Sequence, residues 1–228
     1  MTADHGPVAT RVKICGLTSA SDAAYAERSG AAFLGAILAG GPRLLDVERA
    51  REVLGPRRSG VARVAVFGAQ TIEEILTIGT SLDLDVVQLH GDPSPEVVRE
   101  LCGRSNRAVW PVLRVEGTTL PESALGLATA AGALVLDAKV IGHLGGTGVA
   151  LDWVGLVDSV RELRRMVPDL QLVLAGGLRA ENVTRAVALL QPSVVDVSSG
   201  VEISPGRKDL ELVERFVSAV ITATGTRA

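Results

Sequence analysis

The chain has 228 residues, a length that suits one large domain or at most two small ones. Apolar residues make up 47% and charged residues 21%, which excludes an intrinsically disordered chain. The formal net charge of −3 argues against a nucleic-acid-binding protein, and no run of about 18 apolar residues suggests a membrane span. Residues 1–10 lack the basic start and apolar run of a signal peptide, so a cytoplasmic protein is the expectation.

The cysteines and histidines are too scattered to form a metal site of their own. The chain contains Cys15 and Cys102, which form neither a CxxC pair nor a zinc-finger spacing. The three histidines, His5, His90 and His143, are equally dispersed. We therefore predict no His/Cys metal site, while these counts leave a carboxylate-bound magnesium ion open.

Short apolar runs rich in β-branched residues alternate along the chain with longer amphipathic segments. Such near-continuous apolar runs are typical of strands buried on both faces, as in a parallel sheet. Five of the seven gaps between run ends are 23 or 24 residues, enough for a loop, a helix of about three turns and the next strand. In chain order the predicted strands are 11–15, 32–38, 62–67, 85–90, 108–114, 133–137, 170–176 and 194–199.

The segments between the runs carry the period of an α-helix. Segment 183–190, for example, places apolar residues at i, i+3, i+4 and i+7. Ser19 with Asp22 has the S-x-x-D form of a helix start. Eight strand–helix units predict a single-domain (β/α)8 TIM barrel over residues 11–224, with a doubly wound open sheet as the alternative. Residues 1–10 are predicted to be a flexible extension.

The first and sixth predicted strands end in groups suited to proton transfer, and the chemistry of such barrels lies at the C-terminal ends of their strands. Cys15 ends the first strand beside a glycine and suits a general base or nucleophile, or else a small buried hydrophobe. Asp137 ends the sixth strand after four apolar residues. A desolvated aspartate can hold its proton near neutral pH and act as a general acid. The alternative for Asp137 is a helix cap or an ion pair with Lys139.

Glycine clusters after three consecutive strands indicate an anion site. Gly177 belongs to a glycine pair after the seventh strand, and Ser198, Ser199 and Gly200 follow the eighth. Loops at these positions often present backbone N–H groups to a phosphate. A GGTG segment after the sixth strand, with Gly146 in it, would add further donors as a mobile lid. The absence of a GxxxxGK[ST] motif excludes an NTPase phosphate loop.

Three polar side chains near other strand ends are candidate substrate contacts. Arg43 follows the second strand, and its guanidinium suits a ligand carboxylate or phosphate, with a solvated loop arginine as the alternative. Gln88 and His90 alternate along the fourth strand, so both should face the barrel interior. A structural role is the alternative for His90. Lys208 and Asp209 are assigned to the start of the last helix, with no chemistry.

Eight short motifs follow one another along the chain: KICGLT at 13–18, PR at 42–43, QLHG at 88–91, LD at 136–137, GGTG at 145–148, AGGL at 175–178, DVSSGVE at 196–202 and PGRKD at 205–209. Each motif is weak by itself. In this order and spacing, over nearly the whole chain, they resemble the phosphoribosylanthranilate isomerase family of tryptophan biosynthesis. KICG, DVSSGVE and PGRKD are the most specific members of the set.

The resemblance implies a TIM barrel and an Amadori rearrangement of N-(5-phosphoribosyl)anthranilate to 1-(2-carboxyphenylamino)-1-deoxyribulose 5-phosphate. It implies that Cys15 is the general base, that Asp137 is the general acid and that Arg43 contacts the anthranilate carboxylate. It places the substrate phosphate at Gly177 and the loop 198–200. No metal or other cofactor is needed for this reaction. The partner is a small phosphoribosyl molecule, not nucleic acid or membrane, and both a monomer and a homodimer are consistent with the barrel's size.

Two segments depart from the family pattern, both near the expected place of the anthranilate ring. Segment 35–43 has no aromatic residue and is one residue shorter than usual, and Gly68 and Ala69 replace the usual Val-Asn. These changes leave the reaction type intact but leave the amine substituent open. A related aminoaldose isomerase acting on another phosphoribosyl amine is therefore the alternative.

Three other functions fit the sequence less well. In the aminoaldose isomerase family of histidine synthesis, the residue at the end of the first strand is an aspartate. This chain has Cys15 at that position, so it resembles that family less. A metal-dependent sugar-phosphate epimerase would need paired His and Asp ligands that the sequence does not show. A catalytically silent phosphate-binding barrel predicts the loss of Cys15 or Asp137, and both are present.

Overall fold

The chain folds into a closed barrel of eight parallel strands. The computed structural model describes residues 9–57, 59–138 and 151–225. Each strand is hydrogen-bonded to the next in sequence, and the eighth pairs with the first through residues such as Lys13 and Asp196. The TIM barrel prediction is therefore confirmed, and the open-sheet alternative is wrong. The strands are β1 (Arg11–Ile14), β2 (Phe33–Ile37), β3 (Ala62–Phe67), β4 (Val86–Leu89), β5 (Ala108–Val115), β6 (Ala133–Ala138), β7 (Gln171–Leu174) and β8 (Val194–Val197).

Helices surround the barrel and connect its strands. A 3₁₀ turn at Ser199–Val201 and a small hairpin, β9 (Glu202–Ser204) with β10 (Arg207–Lys208), follow β8. None of the helices in the described residues is long and apolar enough to cross a membrane. The helices are α1 (Ala20–Arg28), α2 (Val47–Leu54), α3 (Ile72–Ser81), α4 (Pro95–Arg104), α5 (Ser123–Ala131), α6 (Trp153–Met166), α7 (Ala180–Leu190) and α8 (Leu210–Thr224).

Local capping explains where several helices begin. The Ser19 hydroxyl accepts a hydrogen bond from the Asp22 backbone N–H at 3.1 Å, which confirms the predicted start of α1. Asp209 caps α8 by accepting from the N–H groups of Glu211 and Leu212. Both caps satisfy donors that the first turn of a helix leaves without partners.

Alternation along the strands divides the barrel interior into a lower apolar half and an upper polar half. A separate apolar cluster fills the lower part, with the Phe33 and Trp110 rings 5.0 Å apart at its base. Side chains two residues farther along a strand point to the same face. Thus Val86 is followed by Gln88, Val135 by Asp137 and Val194 by Asp196. The inner members of this apolar cluster are Phe33, Val64, Val86, Trp110, Val112, Ala133, Val135, Val173, Ala175 and Val194.

Candidate active site

A pocket opens at the C-terminal ends of the strands, where the loops that follow them converge. It contains every predicted site residue except Gly146, which lies within 139–150 and so outside the described residues. The fold therefore brings together residues that are up to 185 positions apart in the sequence, from Cys15 to Gly200. The predicted residues that line the pocket are Cys15, Arg43, Gln88, His90, Asp137, Gly177, Ser198, Ser199 and Gly200.

Cys15 reaches the pocket floor from the end of β1. Its backbone N–H donates to the Val197 carbonyl at 2.8 Å, which fixes it to β8. Gly16 then turns the chain with φ +69°, and a Cβ at this position would lie 2.5 Å from the Arg43 Cδ. Burial raises the pKa of the Cys15 thiol, and the nearby charge of Lys13 opposes that effect. The thiol thus lines the pocket beside a cation, one of the settings in which a cysteine can be reactive.

A buried ion pair lies one inward-facing position before Cys15 on the same strand. The fully buried Lys13 donates from Nζ to Asp196 Oδ2 at 2.7 Å. Burial alone would lower the pKa of Lys13, but the interactions with Asp196 and Cys15 together outweigh it and the pKa is raised. Sequence reasoning missed this pair. The available signal was a charged residue inside each of two apolar runs, because a buried charge is costly without a partner.

A second buried network surrounds Glu202. Arg43 donates to its carboxylate from Nε at 2.8 Å and from Nη2 at 2.6 Å, a bidentate pair. Lys208 Nζ donates to Glu202 Oε1 at 2.8 Å and also to the Cys15 and Ser198 carbonyls. Burial would raise the pKa of Glu202, but these two cations hold it below its ordinary value. Lys208 thus lies in β10 and not at the start of the last helix, where Asp209 stands alone as predicted, and its buried ammonium joins the ends of β1 and β8.

Asp137 occupies the opposite side of the pocket, at the end of β6. Its Oδ2 lies 3.2 Å from His90 Nε2, so the two predicted residues form one unit. Gly176 has φ +82°, and a Cβ there would lie 2.9 Å from Asp137 Oδ1, which explains the glycine. Asp152, and not Asp137, caps α6. The alternative partner Lys139 lies outside the described residues.

Gln88 also faces the interior, as the alternation on β4 predicts. The Gln88 side chain is buried, and its Oε1 has no hydrogen-bond partner among the described residues. Buried polar atoms are nearly always hydrogen-bonded in folded proteins. The orphaned oxygen therefore suits a ligand that donates a hydrogen bond into the pocket.

The loops after β7 and β8 form the third wall. A Cβ at Gly200 would lie 1.9 Å from the Leu178 carbonyl oxygen, so this glycine lets the two loops pack closely, while Gly177 turns the chain with φ +63°. The Ser198 hydroxyl is buried and has no hydrogen-bond partner among the described residues. Close-packed glycine backbone beside an unpaired hydroxyl suits a phosphate group.

The pocket thus combines a cysteine, an aspartate and a glycine-rich wall. The family model for N-(5'-phosphoribosyl)anthranilate (PRA) isomerase matches residues 12–219. The chain belongs to the PRA isomerase family. The resemblance that the motifs predicted is confirmed.

Individual relatives are similar to this chain over nearly their full lengths. The PRA isomerase of Acidithiobacillus ferrooxidans is 40% identical over 211 residues, covering 92% of this chain and 97% of the relative. That of Rubrobacter xylanophilus is 41% identical over 217 residues, covering 92% and 98%. Among solved structures, the Thermotoga maritima PRA isomerase has a TM-score of 0.81 at 32% identity, covering 93% of this chain and 99% of its own.

One solved family member carries a ligand. A PRA isomerase in complex with reduced 1-(o-carboxyphenylamino)-1-deoxyribulose 5-phosphate has a TM-score of 0.80 at 32% identity. The match covers 93% of this chain and 99% of the chain in that complex. Another Thermotoga maritima structure, with a TM-score of 0.77, concerns monomers generated from a dimeric PRA isomerase.

The structure gives a physical reason for one departure from the family pattern. A Cβ at Gly68 would lie 3.0 Å from the Ala39 carbonyl oxygen, and one at Gly91 would lie 2.4 Å from the Gly68 oxygen. Glycine at both positions therefore lets the loops after β2, β3 and β4 approach closely. The loop after β2, with Gly40 and Gly41, lines the pocket next to Arg43.

Proposed function

We propose that this member of the PRA isomerase family converts N-(5'-phosphoribosyl)anthranilate to 1-(2-carboxyphenylamino)-1-deoxyribulose 5-phosphate, with Cys15 as general base and Asp137 as general acid. The observation that carries these roles is that the thiol and the carboxyl group line the same pocket from β1 and β6. An Amadori rearrangement needs a proton delivered at one end of the sugar and removed near the other.

Substrate binding is divided between two charged ends. The substrate phosphate would bind the wall formed by Gly177 and the loop 198–200, where the Ser198 hydroxyl can donate to it. Arg43 would bind the anthranilate carboxylate. Glu202 already holds its Nε and Nη2, and none of the hydrogen bonds found among the described residues uses Nη1, so this edge can face the ligand. Phosphate binding is remote from the reacting carbons and supplies energy for their orientation.

The reaction begins with ring opening. Asp137 donates its proton to the ribose ring oxygen, the C1–O bond breaks, and the nitrogen lone pair forms a protonated imine at C1. His90, 3.2 Å from Asp137 Oδ2, orients the carboxyl group. The positive nitrogen then withdraws electrons and makes the proton on C2 acidic.

The second step is proton removal at C2. The Cys15 thiolate takes the C2 proton, the C–H electron pair forms the C1=C2 double bond, and the imine π electrons return to nitrogen. The resulting enolamine becomes the ketone when its hydroxyl loses a proton and C1 gains one. The substrate and product are isomers, so no electrons enter or leave.

A coupled fluorescence assay tests these roles. Anthranilate, phosphoribosyl pyrophosphate and an anthranilate phosphoribosyltransferase generate the labile substrate in place, and its fluorescence is followed with EDTA present. We expect Cys15→Ser and Asp137→Asn each to reduce kcat by about 10²- to 10⁴-fold, the usual contribution of a positioned acid or base. Cys102→Ser is the matched control, because Cys102 lies half-buried on α4 and outside the pocket, and it should retain activity.

The outcomes separate the reaction from the residue roles. If the folded wild-type protein did not make the substrate fluorescence fall, the proposed substrate would be wrong, and other phosphoribosyl amines would be tested next. If decay were fast and both site variants kept near-normal turnover, the reaction would stand but the roles of Cys15 and Asp137 would be wrong.

A further inference from the structure

The proposed reaction steps leave the Lys13–Asp196 pair without a task. Lys13 is fully buried inside the barrel, and the Asp196 side chain is only 6% exposed. Removing two charges from water is costly, and an apolar pair of similar volume is often equally stable or more stable. The ion pair is therefore poorly explained by stability alone. Its place beside the general base suggests a role in the chemistry.

Lys13 and Cys15 share one small space in the barrel. Both side chains point inward from β1, two residues apart. On the neighbouring strand, a Cβ at Gly35 would lie 3.0 Å from the Cys15 Sγ and 3.2 Å from the Lys13 Cε. The glycine thus leaves the room that lets the lysine stem run alongside the thiol. Any larger residue at this position would separate them or displace one of them.

The charged groups around Cys15 come from several elements. Lys13 on β1 and Asp196 on β8 act on the thiol with opposite signs, and Lys208 on β10 favours its ionised form. Arg43, from the loop after β2, also interacts with it. Burial works against all three cations and favours the neutral thiol. Within the described residues, Lys13 is the cation whose charge acts most strongly on the sulfur.

We propose that Lys13 is a positioning residue whose ammonium group, shared between the Asp196 carboxylate and the Cys15 sulfur, favours the thiolate form of Cys15. This inference rests on the proposed role of Cys15 as general base. Asp196 keeps the buried lysine protonated, and in return it competes with the sulfur for the positive charge. The Asp196 Oδ1 has no hydrogen-bond partner among the described residues. Lys13, which donates to Oδ2, is therefore the main contact in that part of the chain that neutralises the Asp196 carboxylate.

Competition predicts effects of opposite sign for the two partners. Lys13→Met removes the cation, so the Cys15 thiolate should become harder to form. Asp196→Asn removes the rival anion and leaves the ammonium to the sulfur alone, so the thiolate should form more easily. A pair that served only to support the barrel would loosen it in both variants, and both would then change the thiol in the same direction.

The test measures thiol ionisation directly, without turnover. In a Cys102→Ser background, the rate of Cys15 alkylation by iodoacetamide is followed by mass spectrometry from pH 6 to pH 10. Below the pKa, the rate follows the thiolate fraction, and each unit of pKa changes that fraction about tenfold. We expect alkylation at pH 7.5 to be about tenfold or more slower in Lys13→Met and severalfold faster in Asp196→Asn. Arg11→Met is the control, since it removes an exposed cation from the same strand.

Each outcome decides the proposal. Opposite shifts in the two variants, with Arg11→Met unchanged, support it. Unchanged rates, or shifts of the same sign, overturn it. If Lys13→Met does not fold, Asp196→Asn decides by itself, because slower or equal alkylation in this nearly isosteric variant contradicts the competition. The Cys15→Ser assay decides separately whether Cys15 is the base, so failure of one does not imply failure of the other.

Discussion

The buried ion pairs beside the pocket and the pairs on the outer helices use the same kinds of charged side chain in opposite surroundings. Lys13 and Asp196 are 183 residues apart in sequence and are buried together at the barrel axis. Arg161 and Asp158 are three residues apart on α6, and their side chains are 74% and 90% exposed. The two bonds have nearly equal lengths, 2.7 Å and 2.8 Å. Distance alone therefore says little about what a pair contributes.

Solvent makes the difference between the two kinds of pair. An exposed pair exchanges good hydration for a weak attraction and contributes little to stability. A buried pair has lost its hydration, so removing one partner leaves an uncompensated charge in a place that cannot solvate it. The buried charges beside the pocket are thus held in place by each other, and they fix the groups to which we assign the proposed chemistry. Substitutions at three positions test this contrast, from the largest expected effect to the smallest.

Glu202→Ala should have the largest effect, because the Glu202 carboxylate neutralises both Arg43 and Lys208. Breaking a buried pair typically costs about 3–5 kcal/mol of unfolding free energy. Urea denaturation at pH 7 measures the loss. Glu48→Ala is the matched control, because Glu48 pairs with Arg51 on the surface of α2 and its side chain is 80% exposed. A similar loss in both variants would contradict the contrast.

We also expect the loss of stability in Glu202→Ala to depend on pH. The pKa of Glu202 is held below its ordinary value of 4.5 by its two cations, against the effect of burial. A carboxyl group whose pKa is lower in the folded state stabilises the fold above its unfolded pKa and loses that contribution as the pH falls through the folded value. The stability difference between wild type and Glu202→Ala should therefore be full near pH 7 and shrink below about pH 4.5. A constant difference down to pH 3 would show that Glu202 acts through packing and not through charge.

The fold could be predicted from the sequence because its determinants are local. β3 spans Ala62–Phe67, the predicted range, and Ser19 caps α1 as its S-x-x-D pattern indicates. The other strands agree with their predicted apolar runs to within a residue or two at each end. Hydrophobic period and capping chemistry act over a few residues, so a single sequence contains them.

The site could be predicted only in part, and the missing part is the charge network. Cys15 and Asp137 stand at strand ends, where the barrel architecture itself directs attention. Glu202 and Lys208 became part of the site only through partners as distant as Arg43, 159 residues away from Glu202. No spacing rule connects such residues. The pairing became visible only once the closure of β8 on β1 was known.

Arg43→Lys should have an intermediate effect, on substrate binding. Lysine keeps the positive charge but cannot hold Glu202 at two points while also presenting a second edge to the ligand. We expect KM to rise about tenfold with kcat within about threefold of wild type, since losing one charged hydrogen bond costs roughly 1.5–3 kcal/mol. Steady-state kinetics in the coupled assay measures both constants. Arg49→Lys on α2 is the control, and an equal rise in KM there would argue against a role for Arg43 in binding.

Arg161→Ala should have the smallest effect. It breaks the Asp158–Arg161 pair, but the Asp158 carboxylate then regains full hydration, and alanine is the better helix former at this position of α6. We expect the urea midpoint to move by roughly a tenth or less of the shift for Glu202→Ala, and kcat/KM to stay at the wild-type value. A shift comparable to that of Glu202→Ala would mean that burial is not what distinguishes the two kinds of pair. In that case the tight contacts of the pocket charges with backbone carbonyls, such as those of Lys208 with Cys15 and Ser198, would have to explain the difference.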